Sequence, residues 1–297
     1  MSKIPIELAD PTIFYKDGTY YLYGTSHEDG ILVYTSTDLT EWEGPKGATN
    51  GLALSKENSF GSKWFWAPQV FERDGKFYLV YTADEHIAIA QSDSPLGPFR
   101  QETPTKISGK NRQIDPYLFF DDNGKIYLYY VKLDNGNKLY VSEMKNDLSD
   151  IKPETTRFCI EAAPNTWEDT ENADWKVAEG PTIIKHNELY YFFYSANDFR
   201  NKDYAVGYAT AKSPYGPWKK YEGNPIISKE NIGINGVGHG DFFKDANNNW
   251  KYVFHTHQSD TIVDKRKTAI VSAAFEKDSS GVDKMKIDYK SFIFLEQ

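Results

Sequence analysis

The 297 residues include one cysteine, Cys159. A lone thiol excludes an internal disulfide framework and any cysteine-based zinc site, and leaves Cys159 as a packed, unreactive side chain. Nowhere do apolar residues run for the roughly 18 positions that a membrane-spanning helix requires, so no membrane partner is expected. Basic residues are also in deficit: 34 Lys and Arg against 43 Asp and Glu leave a formal charge of −9. Proteins that grip a phosphate backbone usually present a basic face, and nucleic acid is therefore not an expected partner either. The 3.6-residue apolar stripe of a helix is scarce, so almost no helix is expected. Residues 1–7 carry no apolar core of a signal peptide before the first repeat begins at Ala9. The chain is expected to be cytoplasmic as it stands, or else to have lost a secretory segment.

Aromatic residues, by contrast, are plentiful: 18 Phe, 21 Tyr and 7 Trp. Such a composition favours strands and stacking surfaces and argues against disorder. Five segments resemble one another: ADPTIFYKDGTYYLYGTS from Ala9, WAPQVFERDGKFYLVYTA from Trp66, IDPYLFFDDNGKIYLYYV from Ile114, EGPTIIKHNELYYFFYSA from Glu179, and the more divergent GHGDFFKDANNNWKYVFHT from Gly238. Each reads as apolar strand, polar turn, aromatic strand, with turns such as Asp17-Gly18 and Asp74-Gly75 suited to hairpins. Their anchors, Pro11, Pro68, Pro116, Pro181 and Gly240, lie 57, 48, 65 and 59 residues apart, which are propeller-blade lengths. A third strand follows each hairpin (31–36, 87–91, 138–142, 205–209, 268–273), then a short link to an outer strand. The links SDSPLGPF from Ser92 and AKSPYGPW from Ala211 are near copies. Trp42, Phe99 and Trp218 recur on the expected outer strands and read as packing between blades. The expected fold is all-β, a five-bladed β-propeller formed by residues 1–297 as a single catalytic domain. A plain β-sandwich also alternates strands with Gly/Pro turns, but five matching units favour the propeller.

In a propeller the innermost strand of every blade starts at the central channel, so anchor residues distant in sequence converge there. Three of the five anchors carry acids: Asp10, Asp115 and Glu179, the last set one residue further out, before Gly180-Pro181. The other two blades supply Ala67 and His239. A single Asp-Pro often does no more than start a strand or turn; repetition at matching positions points to chemistry. Carboxylates crowded in a polar channel raise one another's proton affinity, and burial favours the neutral acid. That yields an acid and a base at one pH, the pair that glycoside hydrolysis needs.

Asp10-Pro11, Trp66-Ala67-Pro68, Ile114-Asp115-Pro116, Glu179-Gly180-Pro181 and Gly238-His239-Gly240, in that order and across essentially the whole chain, resemble the glycoside hydrolase family 43 pattern. The resemblance implies a five-bladed propeller that hydrolyses α-L-arabinofuranosides, β-D-xylosides or related galactosides with inversion. It further implies Asp10 as general base, Glu179 as general acid, and Asp115 as the residue that orients the acid and raises its pKa. His239 resembles the family's axial histidine, which implies a candidate ligand for a calcium ion or its waters; on chemistry alone, a lone histidine is more often a hydrogen-bonded core residue. No cofactor is required. Arg266 lies where some relatives place a substrate-contacting arginine, and a solvated charge reads equally well there. His255-Thr256-His257 lacks a third ligand at metal-binding distance. Tyr204 and Ser195 sit in strands that resemble the family's framework.

Sugars present an apolar face and a rim of hydroxyls, so aromatic platforms are expected walls. Trp66 is the leading candidate, with Phe65 and Trp64 beside it; Trp167, Trp175 and Phe199 fit surface packing about as well. The polar insertions 49–63 and 153–176 precede inner strands and are expected to line the top face. The leading reading is an exo-acting inverting glycosidase on pentose-bearing plant polysaccharide or oligosaccharide, with no protein partner implied. A catalytically silent carbohydrate-binding propeller is the alternative from another class. A WD-repeat interaction propeller lacks its Gly-His and Trp-Asp signatures here, and the retaining invertase-like propellers read differently around the first Asp.

Overall fold

The computed structural model describes residues 3–107 and 109–297. Met1 and Ser2, which open the N-terminal segment read above, lie outside the described residues. Blade one comprises β1 (Ala9–Lys16), β2 (Thr19–His27), β3 (Gly30–Ser36) and β4 (Leu52–Ser55), and blade two β5 (Trp66–Arg73), β6 (Lys76–Ala83) and β7 (His86–Ser92). Blade three has β8 (Gln113–Phe120), β9 (Ile126–Leu133), β10 (Asn137–Glu143) and β11 (Arg157–Ile160). Blade four has β12 (Ala178–His186), β13 (Leu189–Ala196), β14 (Ala205–Ala211) and β15 (Lys219–Lys220), and blade five β16 (Gly238–Lys244), β17 (Trp250–Thr256), β18 (Lys267–Glu276) and β19 (Lys284–Phe294). Each sheet is an antiparallel meander, and the five make the expected β-propeller. Among the described residues, α-helix is limited to the single turn Lys229–Ile232.

The hairpins follow from their turn residues. Asp17-Gly18 and Asp74-Gly75 take positive φ at both positions (49° and 82°, 51° and 74°), the type I′ geometry whose twist matches that of paired strands. Apolar side chains alternate out of each sheet and meet those of the next blade. Between blades four and five, for example, Tyr191, Phe193 and Tyr208 pack with Phe242, Tyr252 and Phe254. The core is thus divided into slabs between sheets, while the axis is left to polar groups.

The outer edges depart from expectation at two blades. Trp42 and Phe99 are buried packing residues as read, but they do not open regular strands. The isolated bridges Thr35–Glu43 and Gln91–Arg100 form beside them, and Phe99 itself bridges in parallel to Leu54 of β4. Blade one takes its fourth strand, β4, from the insertion 49–63 instead. The ring is closed by the chain ends: the Ile6 N–H donates to Leu295 O at 2.8 Å, the Ile4 N–H to Gln297 O at 2.9 Å, and the Thr268 N–H of β18 to Ile6 O at 2.9 Å.

One feature of the inner strands sets up the site. All five slip register at the same place, between Ala9 and Thr12, Trp66 and Gln69, Ile114 and Tyr117, Glu179 and Thr182, and Gly238 and Asp241. The residue at each bulge has positive φ: Asp10 49°, Ala67 45°, Asp115 54°, Gly180 60° and His239 43°. A bulge re-aims the side chain it carries, and four of these five are non-glycine residues held in a strained conformation of the kind that gathers at functional sites.

Candidate active site

The bulges bring Asp10, Asp115 and His239 to the axis at equivalent positions. His239 Nδ1 lies 3.3 Å from Asp10 Oδ1 and 3.8 Å from Asp115 Oδ2. Glu179 is not equivalent to the two aspartates; the bulge residue of its blade is Gly180, and Glu179 stands one step before it. Gly180 is needed twice over, for its φ and because a Cβ there would come within 2.9 Å of His239 Cδ2. The offset gives the glutamate a separate environment. Tyr204 Oη donates to Glu179 Oε1 at 2.8 Å, and Asn137 Nδ2 donates to Oε2 at 2.7 Å. Asn137 is locked in that orientation because the Trp175 indole, which can only donate, takes its Oδ1 at 2.9 Å. The Asn137 amide can only donate to Oε2, whereas the Tyr204 hydroxyl can turn to accept, so a proton carried by Glu179 sits on Oε1.

Asp10 and Glu179 are driven apart in acidity. Burial alone would push the Asp10 carboxyl up, but His239, Arg266 and His255 together hold it well below the usual carboxylate range. Of these, Arg266 supplies the charge at neutral pH, because burial lowers His239 and pushes His255 down to about 3. Neutral His255 accepts the Asp10 N–H on Nδ1 at 3.1 Å, and Thr25 Oγ1 donates to Asp10 Oδ2 at 2.7 Å. Glu179 is pushed up to about 7 by burial and by the nearby charge of Asp10, against its two donors. Burial and the charges of Glu179 and Asp10 also push Asp115 well up, opposed by the Gly180 N–H, which donates to Asp115 Oδ2 at 3.2 Å. Asp115 and Glu179 thus hold a proton between them where isolated carboxyls would have lost it.

These groups face a cavity of about 380 Å³, walled by Trp66, Trp175, Phe199 and Arg266. A second hollow of about 530 Å³ adjoins it through Thr25, Trp66 and Arg266, and is lined by Lys56, Lys63 and Trp64 of the first insertion and its flank. Trp64, 42% exposed, stacks on Trp66 with ring centres 5.6 Å apart. Both insertions therefore line the top face as expected, the second through Trp175, which is 44% exposed.

Several expectations change. Phe65 is not a sugar platform: it is 1% exposed and stacked on Tyr81 inside the core, since it alternates with Trp64 and Trp66, which stack on each other on the opposite side. Arg266 is not a solvated charge, with Nη1 3.4 Å from Asp10 Oδ1 and the guanidinium over Phe199. Tyr204 is more than framework, because it contacts the glutamate. Asn137 was missed, and His255 was weighed only as a metal ligand, not as a partner of Asp10. The signal for His255 was its place in β17 directly across from Gly238, just before the fifth bulge, which becomes informative only once the ring closes blade five onto Asp10. Cys159 is a bland thiol as read, with burial pushing it up to about 12. As for calcium, His239 Nδ1 is turned onto two carboxylates. Among the described residues no three His, Cys, Asp or Glu side chains are grouped to hold a metal ion. The donor set does not fit a resident cation.

The chain matches the family model described as "Glycosyl hydrolases family 43" over residues 3–280. It is 28% identical to "Xylosidase/arabinosidase 43A" of Humicola insolens, over 72% of this chain and 78% of that protein. It is also 28% identical to "Extracellular endo-alpha-(1->5)-L-arabinanase 1" of Bacillus subtilis (strain 168), over 82% of this chain and 74% of that protein. Among solved structures, an endo-1,4-beta-xylanase from Bacteroides thetaiotaomicron VPI-5482 is 40% identical with a TM-score of 0.89, covering 99% of this chain and 98% of that one. A thermostable family-43 glycoside hydrolase is 36% identical with a TM-score of 0.82, covering 95% and 93%. The propeller, the axial carboxyls and these likenesses agree: the chain belongs to glycosyl hydrolases family 43 and is a glycosidase.

Proposed function

We propose that the enzyme cleaves α-L-arabinofuranosyl or β-D-xylosyl linkages of plant polysaccharides or their oligosaccharides with inversion, and that residues 1–297 act as one catalytic domain. The carrying observation is the opposed environments of two carboxyls in one cavity: Asp10, held ionised beside Arg266, and Glu179, pushed up to about 7. Asp10 takes a proton from the attacking water. Glu179 gives the proton on Oε1 to the departing glycosidic oxygen, and Asp115 keeps that proton in place at neutral pH by its charge. The chemistry draws only on side chains, and the apolar faces of Trp66 and Trp175 suit a sugar ring. Relatives named for xylosidase, arabinosidase and arabinanase activities support the pentose.

Proton NMR of the hydrolysis, recorded before mutarotation on aryl α-L-arabinofuranoside, β-D-xyloside and β-D-galactofuranoside, tests the reading. The first-formed product should have the configuration opposite to the substrate's, on one of the two pentosides. A retained anomer would overturn Asp10 as the base, and turnover of the galactofuranoside alone would overturn the pentose. Monosaccharide as the first product from an oligosaccharide supports attack at chain ends; longer first products overturn it.

A further inference from the structure

The five bulges form an internal comparison. In four of them a side chain on the second strand of the preceding blade accepts the N–H of the bulge residue. His255 Nδ1 takes that of Asp10 at 3.1 Å, Thr25 Oγ1 that of Ala67 at 2.9 Å, Thr82 Oγ1 that of Asp115 at 3.0 Å, and Ser195 Oγ that of His239 at 2.8 Å. The four acceptors share one register position, each directly across from the residue that precedes the bulge of its own blade: Thr25 from Ala9, Thr82 from Trp66, Ser195 from Glu179 and His255 from Gly238. In blade three the same position, across from Ile114, holds Val131. Val131 is fully buried and has no acceptor to offer. The N–H it would have served belongs to Gly180, and that N–H donates to Asp115 Oδ2 instead.

We infer that Val131 is a positioning residue: by withholding an acceptor where the other four blades provide one, it leaves the Gly180 N–H to Asp115 and ties that carboxylate to the peptide link that carries Glu179. The inference rests on the roles proposed above for Glu179 and Asp115. A buried N–H must find a partner, and a hydrogen bond to a carboxylate favours its charged form. Placing the shared proton on Asp115 or on Glu179 involves the same number of protons, so pH does not choose between the two arrangements. Local hydrogen bonds do: those from Tyr204 and Asn137 favour charge on Glu179, and the Gly180 N–H opposes them, favouring charge on Asp115 and the proton on Glu179, where the leaving oxygen needs it. Threonine has the shape of valine with a hydroxyl added. At position 131 it would compete for the Gly180 N–H, free Asp115 and draw the proton away from Glu179.

The test compares wild type, Val131→Thr and Val131→Ala on an unactivated pentose oligosaccharide and on the matching dinitrophenyl glycoside, whose leaving group needs little protonation. Val131→Thr should lower kcat on the oligosaccharide by about tenfold, the worth of one hydrogen bond to a charged group, with a much smaller loss on the dinitrophenyl glycoside. The alkaline limb of its pH profile should move up, because an unsupported Asp115 holds the last proton more tightly. Val131→Ala, which loosens packing without adding an acceptor, should keep the wild-type ratio between the two substrates. A wild-type ratio in Val131→Thr overturns the inference, as does the same altered ratio in Val131→Ala. A second measurement needs no change at 131: labelling with 1-13C-glutamate and 15N-glycine reports Gly44, Gly180 and Gly223, the glycines that follow a glutamate. The Gly180 amide proton should move upfield in Asp115→Asn, and a resonance indifferent to that change overturns the inference. Glu179→Gln, run alongside, separates the two levels. If it loses equal activity on both substrates the acid role itself fails, and if it behaves as an acid variant while Val131→Thr does nothing, only the positioning role fails.

Discussion

Arg266 gives Asp10 its permanent countercharge, and its removal isolates that contribution. Arg266→Met should let burial push the Asp10 carboxyl up, so the acid limb of the kcat/KM profile moves toward neutral pH while the alkaline limb stays. An unmoved acid limb would show that His239 and His255 suffice. Asp115→Asn acts on the other side of the bell. It keeps an oxygen for the Gly180 N–H but deletes a negative charge beside Glu179, whose proton affinity should fall, and the alkaline limb, set near 7 by Glu179, should move down. Glu179→Gln should cost on the order of 10²–10⁴-fold on oligosaccharides, the usual worth of a general acid, and far less on dinitrophenyl glycosides. Equal losses on both substrates would contradict the donor role. Asp10→Asn should be crippling on both, because water activation is needed whatever the leaving group.

At the scale of the element, the bulge decides which side chains reach the axis, and Gly180 tests it. Gly180→Ala places a Cβ at φ +60° within 2.9 Å of the His239 ring, so it should cost about 1–3 kcal/mol of stability, the range for a strained backbone site, and should also lower activity by displacing His239 and Glu179. Gly18→Ala is the control. Its φ is +82° with open space around it, so it should cost about 1 kcal/mol and leave kcat/KM alone; similar kinetic loss in both would remove the special role of Gly180. This element also marks how far sequence could be read. The repeat of strand, turn and strand announced the blades because Pro and Gly anchors recur where the pleat is broken, and Asp10, Asp115 and Glu179 were legible because they sit at those anchors. The offset of Glu179 was legible too, but the pair of donors it acquires there was not, and the inward turn of Phe65 between two outward tryptophans, which alternation implies, was passed over. His255, Asn137 and Tyr204 stayed hidden because each lies on a second or third strand, or just before one; His255 and Asn137 meet their carboxyls across a blade boundary that only the closed ring defines, and Tyr204 reaches Glu179 from the loop before the third strand of the same blade.

At the scale of the whole molecule, the ring leaves a polar axis below the acids, and Asp241 lies on it. Thr12 Oγ1 donates to its Oδ2 at 2.7 Å, while Oδ1 is buried and, among the described residues, has no partner within hydrogen-bonding distance. Burial pushes Asp241 up to about 7, opposed chiefly by the Thr12 hydroxyl. An unfolded aspartate titrates near 3.9. Between those two values the folded chain binds a proton that the unfolded chain has lost, so the contribution of this group to stability is fully present below about pH 4, falls as pH rises toward about 7, and then levels off. Asp241→Asn has no proton to lose. Its stability relative to wild type should therefore be flat below about pH 4, climb through the window from about 4 to 7, and plateau above it at a gain of up to about 4 kcal/mol. Urea unfolding of both chains at pH 5, 6, 7 and 8, read as the midpoint difference at constant slope, measures the trend. A difference that does not grow between pH 5 and 7 would mean that Asp241 stays ionised at the axis, and that the polar channel solvates a carboxylate far better than its single side-chain donor within 2.7 Å suggests.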